Sequence, residues 1–310
     1  MLLRIVLGLG LFAGSMAAGW WLHRRGRLSE ARASRLVRWV VTVPSPIVLC
    51  LSFWRMNLRS VEPWLLPFLG LLISSSTLAP AFLYARRAGL SRPQVGSFLT
   101  CAFFSNLGYL GAFTAFAVYG EAAYALCMLY LVFFSPCFYT LGFGIGARYG
   151  HRAREASTME AAFRDELRLF PFLGMLAGAA LSLAGVERPV PLEWFNHVLI
   201  PADTALYLIA IGSQVRLEWP RPLLQPCLAM SGIKFLYSPL IAWGLVSLAH
   251  LEGLPRFVVL LESATPVAVS SLVLPLLFGL DKRLANAVWL FTTILSLPML
   301  AILLPLLIVS

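Results

Sequence analysis

Apolar runs of roughly 20 residues, the length a helix needs to cross a hydrocarbon core, recur from Leu2 to the C-terminal end of this sequence with only short polar breaks. Lipid offers no partner to a bare N–H or C=O, so segments of this kind are confined to α-helices that satisfy their backbone internally. Only 12% of the residues are charged, against about 25% in a soluble domain, and no stretch has the composition of an independent soluble domain. The expected fold class is an all-α membrane protein with about ten transmembrane helices.

Spans are expected near 2–22, 36–54, 64–84, 95–119 and 122–147. After a polar stretch, five more are expected near 167–185, 194–215, 223–248, 257–278 and 284–309. The chain thus divides into a first five-helix set (1–149), a cytoplasmic linker (150–166) and a second five-helix set (167–310). The linker is expected to be a short amphipathic interfacial helix with Met159, Ala162 and Phe163 against the headgroups.

Cytoplasmic loops retain Lys and Arg. The loops after spans one, three, five, seven and nine hold 18 of the 24 basic residues, including Arg24, Arg25, Arg27, Arg32, Arg35 and Arg38. That bias places both termini outside, in a multi-pass protein of the cell inner (plasma) membrane. A cleaved signal peptide at residues 1–17 is a competing reading. It would leave the Arg24–Arg38 cluster outside, against every later loop, so a retained first helix is the consistent choice.

The net charge of +10 does not indicate nucleic acid, because the basic residues lie at the ends of apolar runs rather than along a polar face. The five cysteines form no CxxC pair, and the four histidines are far apart without metal-ligand spacing. No cofactor or metal is therefore expected. A membrane enzyme would need a nucleophile with its base or a HExxH helix, and an ATP-driven pump would need a phosphate-cradling Gly-Lys loop; neither is present.

The two halves share a pattern. Tyr119-Gly120-Glu121 then Ser135-Pro136 in the first corresponds to Phe278-Gly279-Leu280-Asp281 then Ser296-Leu297-Pro298 in the second. Fourteen residues before each glycine stand Asn106, in Ser105-Asn106-Leu107-Gly108, and Thr265, in Ala264-Thr265-Pro266-Val267. Each half has an odd number of spans, so the halves are expected to form a 5+5 inverted repeat. Broken helices at membrane depth are tolerated where they line a buried or wet cavity, and half-helix N-termini there would offer unpaired N–H groups to a carboxylate. Substrate binding is accordingly expected at Ser105, Asn106, Leu107, Gly108, Thr265, Pro266 and Val267. The glycines Gly108 and Gly111 also suit a seam of small residues between packed helices.

Lys234 stands deep in the eighth span, where a charge costs roughly 2.5–3.5 kcal/mol on insertion scales. Glu262 and Asp203 are the carboxylates that could pair with it. The three residues could also serve charge coupling, with Lys234 attracting an anion or a carboxylate taking up a proton.

Phe104 to Gly111 with Tyr119-Gly120, Lys234 to Pro239, and Thr265-Pro266 with Phe278 to Asp281 and Thr292 to Pro298 together resemble the auxin efflux carrier family, which includes bacterial malate permease-like proteins. The resemblance covers most of the chain. It implies broken helices four and nine that cross, an elevator-like alternating-access motion, small organic anions such as dicarboxylates as substrates, and a homodimer. This chain departs from the family in carrying Thr265 where a methionine or small residue often precedes the proline, and in lacking a second-half counterpart of Asn106. The leading expectation is a secondary transporter of a small organic anion. The alternative is a sodium- or proton-coupled carrier similar to bile acid/sodium symporters or cation/proton antiporters.

Overall fold

A computed structural model describes residues 2–151, 169–215 and 223–309. The described chain is helical apart from its turns and breaks, and an isolated antiparallel bridge between Ser105 and Val267 takes the place of any strand among the described residues. Seven helical segments in it are long and apolar enough to cross a membrane: Val6–Arg24, Glu30–Trp54, Glu62–Arg87, Glu121–Tyr149, Val190–Gly212, Leu224–Leu248 and Lys282–Leu307. Leu107–Tyr119, Leu169–Leu183 and Val269–Phe278 are shorter apolar helices. They fall on the fourth, sixth and ninth expected spans. The fourth and ninth are short because each is interrupted, after Phe103 and after Ser263, while the sixth begins against the undescribed residues 152–168. The expected linker helix lies almost wholly in that stretch, outside the described residues.

The chain forms two compact units, and each draws on both halves of the sequence. The first comprises Met1–Leu65, Gly108–Leu129 and Arg164–Val215; the second comprises Leu66–Leu107, Tyr130–Phe163 and Arg216–Ser310.

In the first unit, α1 (Leu2–Arg24), α2 (Glu30–Thr42) and α3 (Pro44–Trp54) are followed after the excursion by α11 (Leu169–Leu183) and α12 (Val190–Gly212). Prolines at 44 and 46 explain why α2 and α3 are separate: Pro44 has no N–H to continue the ladder through Val43. α11 lies along α3 at backbone distance. A Cβ on Gly174 would stand 2.2 Å from the Pro46 carbonyl oxygen and one on Gly178 2.1 Å from that of Cys50. Further along, Ser182 donates to the Met56 carbonyl at 2.6 Å. The paired positions advance together, so α3 and α11 run parallel, joined by the close approach that small residues permit in membranes. α1 meets α12 in the same way, with Gly19 against Ile209 and Gly212 against Met16.

One end of this unit carries its strongest polar network. Glu121 opens α8 (Glu121–Tyr130) and receives both guanidinium nitrogens of Arg188, at 2.5 and 2.9 Å. Asn196 adds a third donor at 2.6 Å and also bonds Ser52, while Arg188 reaches the Leu51 carbonyl at 2.7 Å. Gly120 immediately before holds φ +73°, ψ −158°, a conformation open in practice only to glycine.

The second unit contains α4 (Glu62–Ser76) from Leu66 onward, α5 (Leu78–Arg87) and α6 (Arg92–Phe103). It continues with α9 (Phe134–Cys137) and α10 (Phe143–Tyr149). The later elements are α13 (Leu224–Gly232), α14 (Ser238–Leu248), α15 (Gly253–Ser263), α16 (Val273–Phe278) and α17 (Lys282–Val309). Its core is aromatic: Phe104 meets Phe103, Phe134 and Phe138 edge-on with ring centroids 4.8–5.5 Å apart, the offset geometry that ring quadrupoles favour. Gly142 and Gly146 leave room for Leu274 and Phe278 respectively, whereas Gly144 faces open space. Gly279 ends α16 in the left-handed region at φ +69°, and Gly120, its counterpart in the sequence pattern, also has positive φ.

Candidate functional site

The site is built where two helices of the second unit stop inside the apolar part of the fold. α6 starts cleanly, with Ser91 and Gln94 in a capping box and Pro93 in its first turn. It ends at Phe103, and Phe104 turns extended at φ −87°, ψ 117°. α15 ends at Ser263, and the chain stays non-helical through Ala268 before a 3₁₀ turn, Val269–Leu272. Pro266 accounts for the second break, since it removes an N–H and bars the helical conformation at Thr265.

Backbone freed at one break is satisfied by the other. The Asn106 amide donates to the Pro266 carbonyl at 2.7 Å, and the Ala268 amide donates to the Phe104 carbonyl at 3.0 Å. Between them the Val267 amide donates to the Thr292 hydroxyl on α17 at 3.3 Å. This corrects one expectation: the amides of Asn106, Val267 and Ala268 are not unpaired donors waiting for a carboxylate, because two peptide stretches without helical partners bond each other.

Lys234 sits in a π-helical turn, Ile233–Tyr237, between α13 and α14, and is 1% exposed. Its ammonium donates at 2.6 Å to the Ala102 carbonyl and at 2.6 Å to the Ser105 hydroxyl. Ala102 belongs to the last turn of α6, whose carbonyls lack helical partners and carry the negative end of the helix dipole. A cation placed there caps the broken helix, and the Thr77 hydroxyl shares the same carbonyl at 2.8 Å.

Asn106 differs from its neighbours. It is 6% exposed, and its side-chain amide has no hydrogen-bond partner among the described residues. Six fully buried donors of this unit, on Tyr84, Arg256, Ser270, Ser271, Trp289 and Thr293, lack partners among the described residues. A cavity of about 20 Å³ lies beside the first break, lined by Gly70, Leu71, Ser74, Phe103, Leu107 and Phe134 among others. It has room for about one water.

Of the expected site residues, Ser105, Asn106, Leu107, Thr265, Pro266, Val267, Lys234 and Glu262 fall in the second unit. Ser105, Asn106, Pro266, Val267 and Lys234 are joined by the bridge and bonds above. Thr265 and Glu262 are fully buried just upstream, where the Thr265 hydroxyl donates to the Glu262 carbonyl at 2.7 Å. Gly108 and Asp203 fall in the first unit. Asp203, 3% exposed, accepts from the Ser45 hydroxyl at 2.7 Å, and the stacked rings of Tyr109 and Tyr207 are close by. Sequence reasoning did not single out Thr77, Ala102 or Ser45 as partners, and only the polar hydroxyls within apolar runs could have suggested two of them.

The chain matches the family model described as membrane transport protein over residues 14–304. It is similar to a protein of Methanothermobacter thermautotrophicus named as an uncharacterized transporter, 26% identical over 280 residues that cover 90% of each chain. It is also similar to an uncharacterized transporter of Methanocaldococcus jannaschii, 27% identical over 212 residues, 66% of each chain.

Proposed function

The chain belongs to the membrane transport protein family and is a multi-pass membrane transporter rather than an enzyme, and we propose that it is a secondary carrier of a small organic anion. In this reading the ten expected spans form a 5+5 inverted repeat of 1–149 and 167–310 in the inner membrane, with both termini outside. The breaks in spans four and nine cross at the substrate site, and an elevator-like motion exposes that site alternately to the two sides. A homodimer is part of the same reading.

One observation carries the proposal: the buried Asn106 amide, without a partner among the described residues, stands beside two helix breaks that bond each other. An amide offers two N–H donors, which suits a carboxylate in a site otherwise lined by satisfied backbone. The remaining binding residues are Ser105, Leu107, Gly108, Thr265, Pro266 and Val267. Lys234 places a basic nitrogen beside Ser105, next to the proposed anion, while it remains bonded to the Ala102 carbonyl of α6. The water-sized cavity supports a mechanism in which a substrate enters only after segments move.

A specific observation favours a second reading, a sodium- or proton-coupled carrier. Asp203 is buried with Ser45 as its hydrogen-bond partner and no ion pair among the described residues, and an isolated carboxylate at membrane depth calls for a proton or a cation.

The test is ligand stabilisation of purified protein by a panel of mono- and dicarboxylates, paired with flux in proteoliposomes. A true ligand at 100 times its Kd stabilises by about 2.7 kcal/mol. Asn106→Ala is expected to abolish that stabilisation and the saturable flux. Flux that follows sodium or a pH gradient, survives Asn106→Ala and is lost in Asp203→Asn would replace the anion reading with the cation-coupled one.

A further inference from the structure

Six arginines crowd the turn between α1 and α2, and beyond setting the orientation of the chain they take no part in the transport reading. Arg24, Arg25, Arg27, Arg32, Arg35 and Arg38 are all exposed. Glu30 is the sole carboxylate between residues 1 and 61, and none of the six guanidinium groups has an ion pair among the described residues. Like charges at this density repel unless an anion lies among them.

The turn is ordered despite its charge. Ser29 caps α2 by accepting from the Arg32 amide, the Arg32 guanidinium donates to the Arg27 carbonyl at 3.0 Å, and His23 is bonded to the Leu28 carbonyl at 2.9 Å. α2 buries Ala33 and Val40. At 100° per residue, Arg32, Arg35, Arg38 and Trp39 fall on the opposite side of that helix. The cluster is therefore presented outward on a fixed frame rather than folded onto the protein.

Aromatic rings accompany the charges. Arg24 stacks over Trp20 at 4.6 Å and Arg25 over Trp21 at 4.2 Å. Trp21 is 42% exposed and Trp39 49% exposed. Tryptophans beside arginines at the end of a membrane-length apolar helix mark the headgroup level. A soluble phosphate would satisfy the charges but would leave those indoles in water; a phosphate with acyl chains attached satisfies both.

We propose that the α1–α2 turn is a binding site for an anionic glycerophospholipid, with Arg24, Arg25, Arg27, Arg32, Arg35 and Arg38 holding its phosphate and Trp21 and Trp39 packing against the glycerol and upper acyl region. Guanidinium groups suit the role because each can make paired N–H···O bonds to a phosphate.

The test compares the parent chain with R32Q/R35Q/R38Q and with R86Q/R87Q/R283Q, which removes the same charge from exposed positions elsewhere. Each is reconstituted in nanodiscs of phosphatidylcholine containing graded phosphatidylglycerol, and lipid retention is read by native mass spectrometry alongside thermal stability. Because each lost guanidinium removes paired bonds to the phosphate, phosphatidylglycerol affinity is expected to fall at least tenfold further in R32Q/R35Q/R38Q than in the control. Equal losses in the two variants would mean general electrostatic attraction and overturn the proposal. Retention of phosphatidylglycerol no greater than of phosphatidylcholine would overturn it too, as would equal stabilisation by soluble glycerophosphate, which would indicate a free-anion site. If R32Q/R35Q/R38Q fails to fold, R24Q/R25Q/R27Q is the second variant, and a loss of phosphatidylglycerol affinity no larger than that of R86Q/R87Q/R283Q overturns the proposal.

Discussion

Removing Arg188 should unfasten one end of the first unit. The Arg188 and Glu121 side chains are 5% and 6% exposed, and the guanidinium grips both carboxylate oxygens. In Arg188→Ala the carboxylate keeps the Asn196 amide as a donor and loses its counter-charge in a site that water barely reaches. Breaking a buried pair from one side costs about 3–5 kcal/mol, a factor of roughly 10²–10⁴ in the unfolding equilibrium. Glu121→Gln should cost less, because Arg188 lies in the connection before α12 and still has the Leu51 carbonyl as an acceptor. The double variant should be no worse than Arg188→Ala alone, since the stranded carboxylate is gone. The assay is reversible unfolding in mixed micelles across the four-protein cycle. A loss below about 1 kcal/mol in Arg188→Ala, or strict additivity in the double variant, would refute the view that these two charges act as one buried unit.

Lys234→Met should destabilise the ligand-free protein by about 1–3 kcal/mol by stripping a donor from the Ala102 carbonyl and Ser105; unchanged stability with weakened carboxylate binding would mean the ammonium serves the substrate rather than α6. Gly178→Leu should lower the melting temperature sharply, because its Cβ alone would fall 2.1 Å from the Cys50 carbonyl oxygen, while Gly244→Ala, with open space around it, should be neutral or slightly stabilising. Thr292→Val should leave the Val267 amide without an acceptor, which hydrogen exchange will register as loss of protection at that amide with a stability loss of about 1–3 kcal/mol.

Much of the helical layout was legible in the sequence because lipid enforces it: spans must be apolar, of set length, and separated by polar turns. The two breaks were legible as well, from Asn106-Leu107-Gly108 and Thr265-Pro266, since proline and glycine act through local backbone geometry. Their mutual pairing was not, because a hydrogen bond between Asn106 and Pro266 depends on tertiary placement that no local pattern encodes. The same limit hid the Arg188–Glu121 pair, which joins two surface-like turns far apart in the sequence, and the partners of Lys234, which are a carbonyl and a hydroxyl rather than the carboxylates that charge alone suggested. Gly174 and Gly178 carry the four-residue spacing of a close helix contact, yet only the structure shows that Pro46 and Cys50 face them.

The bridge between the two breaks also constrains the order in which the protein can mature. Ser105 and its neighbours leave the ribosome long before Val267, and at 5–20 residues per second the roughly 160 intervening residues take about 8–32 s to make. Throughout that time the Asn106 amide and the Phe104 carbonyl lack the partners they hold in the finished fold, while lipid can supply none. The first break must therefore stay shielded by the insertion machinery, by water or by temporary helical pairing until the second arrives. Mutations that weaken the second break should thus reveal themselves first as slow or failed assembly, before any effect on movement of a substrate can be measured.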